Sequence, residues 1–201
     1  LNNTAIQGSV ELKNLMAFVL SKGPLDVNLD LSSDRLNWDE WASIVPVATA
    51  ADEAGSSNGP KVNTSLNLSL KEFTQGNFRA ENIHVQVSAN ADYIQVKQIN
   101  LDACEGSVRA TLSAAKKSNQ QWHLTASADL DGVDIPTVFN QFDHFGQDFL
   151  LSSQIKGVGE VHFDFASDLT VEGEIDTKGM ILAANLKIAN GQLIEHPAMV
   201  D

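Results

Sequence analysis

The sequence contains almost no cysteine and no long apolar run. Cys104 is the only cysteine among 201 residues, so no disulfide can form within the chain. No apolar stretch approaches the roughly 18 residues that a membrane-spanning helix requires, and no basic-then-apolar signal peptide opens the chain. We interpret the chain as a mature fragment or as a piece of a longer protein.

Basic residues are also scarce. The 13 lysines and arginines are outnumbered by 26 acidic residues, which gives a net charge of −13 and a pI of about 4.6. Such a surface repels phosphate groups, which argues against a nucleic-acid partner and against charge-driven docking on an anionic membrane. Any contact with lipid would have to be apolar.

Motifs that carry catalysis or bind metals are missing. The five histidines show no metal-ligand spacing, and the sequence has no G-x-S-x-G motif. Cys104 stands in the turn "DACEG", where we expect a buried or half-buried small residue, and the glycines of "GVG" at 157–159 indicate a bulge in a strand. We expect solvent-facing side chains at His84, His123 and His162. The sequence therefore predicts no enzyme, no cofactor and no metal site.

The strongest positive signal is alternation of apolar and polar residues. A period of two is typical of strands that have one apolar and one solvated face, and strands of this kind form mainly antiparallel sheets. We predict a mainly β fold with a long-stranded, mostly antiparallel, curved sheet or groove, in which several strands are eight to ten residues long, roughly 30 Å. The alternating runs are 25–31, 62–70, 83–89, 108–114, 122–130, 161–165 and 171–175.

Two segments change to a helical period. In "NWDEWASIV", Asn37 suits the N-cap, Glu40 completes a capping box, and Pro46 ends the helix. The small, polar residues 49–60 that follow indicate a flexible insert within one domain that spans residues 1–201.

The second helical segment is "GVDIPTVFNQFDHFGQ". Asp134 suits the N-cap, Pro136 the first turn and Gly146 the end of the helix. Asp143 and His144 fall on the solvated side, so Phe142→Asp is expected to unfold the domain and His144→Ala to change little. One apolar stripe, which we expect to pack on the sheet, consists of Ile135, Val138, Phe139, Phe142 and Phe145.

The apolar side of the sheet is the remaining candidate site. Two short helices are too small to cover many long strands, so either the sheet folds over on itself or part of this side remains a groove. The alternatives are a structural scaffold or protein-interaction module with a fully packed face and, as the weakest, a glycan-binding or hydrolytic β domain. The predicted lipid-groove residues are Leu66, Leu68, Val85, Val87, Val108, Leu112, Leu124 and Phe163.

Several segments together resemble the C-terminal region of AsmA-like proteins of the variety found in Bacteroidetes. They are "PLDVNLDLSSDRLNWDEW" with the insert after it, "FTQGNFRAENIHVQV", "EGSVRATL", "VDIPTVFNQF" and "LKIANGQLIEHP". The resemblance implies the periplasmic part of an inner-membrane-anchored bacterial envelope protein. It also implies a role in outer-membrane biogenesis and phospholipid transport through a groove that holds acyl chains. It transfers no catalytic residue.

Overall fold

A computed structural model describes residues 5–42, 61–119, 121–146, 148, 150–170 and 173–194. Its nine strands form one open sheet in the order in which they occur along the chain, which confirms the predicted mainly β fold. The strands are β1 (Ile6–Lys13), β2 (Leu25–Asn37), β3 (Val62–Gln75), β4 (Phe78–Asn90), β5 (Tyr93–Ala103), β6 (Gly106–Lys116), β7 (Trp122–Asp134), β8 (Ile155–Asp168) and β9 (Ile181–Leu193). The helices are α1 (Leu15–Val19), α2 (Trp38–Ala42) and α3 (Ile135–Gln141).

Neighbouring strands are antiparallel except at one position. Strands β2 and β3 run parallel, and the connection between them contains α2. Since parallel neighbours require the chain to return to the end where the first strand began, this connection cannot be a tight hairpin. The insert predicted at 49–60 belongs to the same connection and lies outside the described residues.

The strands are longer than the sequence predicts. Strands β2 to β9 have 11 to 14 residues each, or roughly 36 to 46 Å at about 3.3 Å per residue. One predicted strand is wrong, because the described residues of 171–175 form no strand and pair with the preceding chain only through an isolated antiparallel bridge from Ile175 to Leu169. Helix α1 has no counterpart among the predicted elements.

The buried apolar residues concentrate at the end of the sheet where α3 lies. The cluster there contains Leu70, Ile83, Ala103 and Val133, from four different strands, and α3 packs against β7 and β8 beside it. The predicted caps are confirmed: the carboxylate of Asp134 accepts a hydrogen bond from the Thr137 amide at 2.9 Å, and the Asn37 side chain accepts one from the Glu40 amide at 3.1 Å. The predicted stop at Pro46 lies outside the described residues.

Helix α3 is shorter than the predicted stripe. It ends at Gln141, and the residues from Asp143 to Gly146 all have φ between 49° and 68°. Because this turn redirects the chain, the side chains of Phe142 and Phe145 are 47% and 60% exposed instead of buried, and Asp143 and His144 do not lie on a helix. Only the first part of the stripe packs as predicted: Ile135 is buried, and Val138 and Phe139 are half-buried.

Candidate functional site

A complete row of apolar residues crosses the sheet from edge to edge. Cross-strand pairing places one residue from each of the nine strands opposite the next, and paired residues project from the same side of a sheet. We call this side the apolar face. The row consists of Val10, Leu29, Leu66, Val87, Val96, Leu112, Ala126, Phe165 and Leu182.

All eight residues predicted to line a groove project from the apolar face. Leu66, Val87 and Leu112 belong to the row above, and the others occupy positions of the same parity in neighbouring rows. Each of the eight is neither fully buried nor exposed, so solvent still reaches it. The supporting pairs are Leu68 with Val85, Val108 with Leu130, Leu124 with Ala114, and Phe163 with Ala128.

The middle of the apolar face has a floor of small side chains. On β6 and β7, four positions of this face are alanine, whereas the flanking strands β5 and β8 carry larger residues such as Ile99 and Phe163. The small residues therefore form a stripe between strands that carry larger side chains. The floor consists of Ala110, Ala114, Ala126 and Ala128.

Sequence reasoning missed the contribution of the two edge strands and of β5. In β5 the alternation changes phase between Val96 and Ile99, where the pairing with β6 shifts register. Such a shift breaks the period of two, so the strand does not show one continuous alternation. The edge strands were accessible to prediction, since Val10 in "VELK" and Leu182 in "ILAANLKI" alternate with polar or small residues.

The opposite face is polar and carries the histidines. Each histidine contacts a polar neighbour on an adjoining strand: Ser69 for His84, Asp168 for His123 and Asp129 for His162. His123 and His162 lie on paired strands, but Asp129, the residue opposite His162, is six positions along β7 from His123, about 20 Å. The histidines therefore do not form one site.

A depression of about 490 Å³ lies over β5 to β9. It opens on the polar face, since its β9 residues, Ile181 and Ala183, occupy positions of that face. The hydroxyl groups of Ser113 and Thr125 bond to each other there at 2.7 Å, and Asp164 contributes a carboxylate. Because an apolar ligand would desolvate these groups without replacing their water, we do not regard this depression as the lipid site.

The ring of His162 bridges two carboxylates on the polar face. Its Nδ1 lies 2.8 Å from Asp129 and its Nε2 lies 3.2 Å from Asp164. Hydrogen bonds to Asp129 and then to Asp164 raise the pKa of His162 above its ordinary value of 6.5. The stability contributed by the charged ring is therefore complete below pH 6.5 and is lost as the pH rises through the raised pKa.

We expect His162→Gln to flatten this pH dependence. As the pH rises from below 6.5 through the raised pKa of His162, the urea midpoint of the unsubstituted chain should fall slightly, because an exposed pair contributes little to the free energy of unfolding. The midpoint of the variant should fall less. His84→Gln is the matched control and should keep the slope of the unsubstituted chain. An NMR titration midpoint for His162 at or below 6.5 would contradict the expectation.

Cys104 is a structural residue in a tight turn. It is 5% exposed, has a φ of 51°, and its thiol donates a hydrogen bond to the Gln141 side chain at 3.5 Å. Burial, followed by the charge of Asp134, raises the pKa of the Cys104 thiol, which disfavours the reactive thiolate. This agrees with the buried small residue that the sequence predicts. The predicted bulge also occurs, with a register shift beside Gly157, whose φ is 141°.

Searches for other kinds of site in the described residues give two negative findings. No group of three or more His, Cys, Asp or Glu side chains in them is arranged to hold a metal ion. Within the same part of the chain, no helix combines the length and the apolar character needed to cross a membrane.

Comparison of the chain with family models, with curated proteins and with solved structures gives no significant match.

Proposed function

We propose that this chain is a non-enzymatic, AsmA-like module that binds phospholipid acyl chains on its apolar face. In this proposal it forms the periplasmic part of an inner-membrane-anchored bacterial envelope protein that serves outer-membrane biogenesis and phospholipid transport or homeostasis. The observation that carries the proposal is the apolar row across all nine strands, most of whose members remain open to solvent. The sequence resemblance supplies the cellular setting.

The chemistry of the apolar face suits an alkyl chain better than a polar ligand. Along the row, the face offers side chains without hydrogen-bond donors or acceptors, from Leu66 on β3 to Phe165 on β8. An acyl chain gains about 0.8 kcal/mol for each methylene removed from water and needs no directional partner. A row without directional contacts permits a bound chain to slide, which is what transport requires.

The cover over the apolar face favours a binding surface over a closed core. Among the described helices, α3 packs on β7 and β8 at one end of the sheet, while α1 and α2 contact β2 and β3. Away from α3, Leu66, Leu112 and Leu124 keep part of their surface in contact with solvent. A solvent-accessible apolar surface that crosses all nine strands is typical of a ligand or partner site.

The direct test is mass spectrometry of lipid that copurifies with the chain. We expect phospholipid in the unsubstituted protein and about a tenfold lower lipid-to-protein ratio in Leu66→Asp, because a carboxylate on the apolar face would be desolvated by the ligand. Ser65→Asp is the matched control, since Ser65 is the neighbour of Leu66 on the same strand and projects from the polar face.

Two results would contradict the proposed function. One is the absence of phospholipid from the unsubstituted chain after incubation with lipid, which would favour a structural scaffold. The other is an equal loss of lipid in Leu66→Asp and Ser65→Asp, which would show that the lipid does not contact the apolar face. Circular dichroism of each variant separates a loss of binding from a loss of folding.

A further inference from the structure

Helix α1 and the residues beside it expose large apolar side chains at the end of the sheet opposite to α3. Five of the nine residues from 12 to 20 are large apolar residues with 48% to 72% of their surface exposed. We call them the apolar tip, and they are Leu12 at 50%, Leu15 at 48%, Met16 at 72%, Val19 at 66% and Leu20 at 56%.

The exposure of the apolar tip is not caused by an unfolded helix end. The Phe18 amide bonds to the Asn14 carbonyl at 2.9 Å and the Leu20 amide to the Met16 carbonyl at 3.1 Å, so the turn is closed. Ala17 and Phe18 are half-buried and provide the side of α1 that faces the rest of the protein. Since that side is already in use, Leu15, Met16 and Val19 form the outward side of the helix, and Leu12 and Leu20 lie just before and just after it.

The charges around the apolar tip differ from those of the chain as a whole. Residues 12–25 contain Lys13 and Lys22 and no acidic residue, whereas the whole chain has a net charge of −13. Lys61 lies at the same end, because its carbonyl accepts a hydrogen bond from the Leu25 amide. Of the two nearest acids, Glu11 forms an ion pair with Lys13 at 3.0 Å, and Asp26 keeps its charge while it accepts a hydrogen bond from the neutral Asn14 amide at 2.6 Å, so the cations that offset Asp26 around α1 are Lys22 and Lys61.

We propose that the apolar tip inserts into the surface of a lipid bilayer, at the boundary between headgroups and acyl chains. Apolar side chains between lysines suit that boundary, because lysine stems extend along apolar surface while their ammonium groups reach the headgroups. The free energy comes from burying the apolar side chains, and the lysines reduce the local repulsion that the acidic chain would otherwise experience from an anionic surface.

The size of the apolar tip argues for a lipid surface over a second copy of the chain. Five partly exposed side chains offer on the order of 500 Å², whereas a stable protein interface buries about 800 Å² on each partner. The helix itself has five residues, too short to present a second turn to a partner helix. A bilayer imposes no such minimum area and no shape complementarity.

This inference deepens the proposed function, on which it rests for its biological meaning, by naming the end of the groove that contacts a membrane. The two remain separable because membrane docking and groove occupancy are measured differently. If Leu66→Asp loses copurifying lipid but still binds vesicles, docking by the apolar tip stands independently of the groove.

Flotation with vesicles tests the inference. The probes are vesicles of phosphatidylethanolamine with a minority of phosphatidylglycerol, and vesicles of phosphatidylcholine alone. We expect the unsubstituted chain to bind both, and Val19→Asp to lower the partition coefficient about tenfold. The matched control is Ile181→Asp, because Ile181 is also 66% exposed but lies on the edge strand β9 and outside the apolar row. It should bind like the unsubstituted chain.

A lysine substitution in the same flotation experiment tests the contribution of charge. Lys22→Glu should weaken binding to the phosphatidylglycerol vesicles and leave binding to phosphatidylcholine nearly unchanged, since only the first carry net negative charge.

Three results would overturn the inference: no flotation of the unsubstituted chain, equal losses in Val19→Asp and Ile181→Asp, or a dimer that Val19→Asp converts to a monomer in light scattering. The last result would assign the apolar tip to a second copy. A fluorophore at Met16→Cys in a Cys104→Ala background should shift to the blue when vesicles are added, and an unchanged spectrum would also contradict insertion.

Discussion

Substitution of Ile135 by aspartate is expected to lower the free energy of unfolding by about 4 kcal/mol, because it removes buried apolar packing and introduces an unpaired carboxylate. Ile135 is 7% exposed at the start of α3, and a Cβ added to Gly159 would lie 2.7 Å from its Cδ1. Urea unfolding followed by circular dichroism measures the change, and the melting temperature should fall by about 10 °C or more.

The other end of the same segment supplies the control. The sequence stripe predicts that Phe142→Asp unfolds the domain, but the substitution should cost only about 1 kcal/mol, because Phe142 is 47% exposed and loses only its ring contacts with Phe78 and with the likewise exposed turn residue Phe145. His144→Ala should change little, since the ring lies at a long 3.4 Å from the Ser152 hydroxyl and makes an edge contact with Phe139. Equal destabilisation by Ile135→Asp and Phe142→Asp would contradict the position that α3 occupies on the sheet.

The substitution Gly106→Ala, which adds a single methyl group, is expected to lower the free energy of unfolding by about 3 kcal/mol. A Cβ built at this glycine lies 2.5 Å from the carbonyl oxygen of Asp131 and 2.7 Å from the amide nitrogen of Val133. Both atoms belong to the backbone of β7, so no side-chain rotation relieves the clash. The neighbouring strand would have to shift at a point where Val133, 1% exposed, is part of the core.

Gly179→Ala is the matched control for Gly106→Ala. A Cβ at Gly179 meets only the Asp176 carboxylate at 3.7 Å, an ordinary van der Waals distance, and the φ of Gly179 is not positive. Its stability should stay within about 0.5 kcal/mol of the unsubstituted chain. If Gly106→Ala has an equally small effect, β6 and β7 are not as close as the structure places them. Both variants are compared by urea midpoint at constant m-value, so that a change in the denatured state is recognised.

The sequence by itself determined the class of the fold, the two faces of most strands and the two N-caps. These features are local. Alternation at Leu66 and Leu68 follows from the pleat of a strand, and the Asp134 cap needs only the amide three residues later. The predicted groove residues share one face for the same reason. Alternation within each strand determines which residues project together, and the structure supplied only the pairing between strands.

Only the tertiary structure decided how the strands are ordered, where α3 ends and what lies open at the edges. The parallel pairing of β2 with β3 depends on a long connection between them. The phase change in β5 depends on its register with β6. A short stretch of sequence contains neither piece of information. The apolar stripe of α3 continues to Phe145, yet the helix ends at Gln141, and Phe142 reaches Phe78 from beyond its last turn. Periodicity depends on near neighbours along the chain, whereas termination and pairing depend on residues far apart in sequence that meet only when the sheet forms.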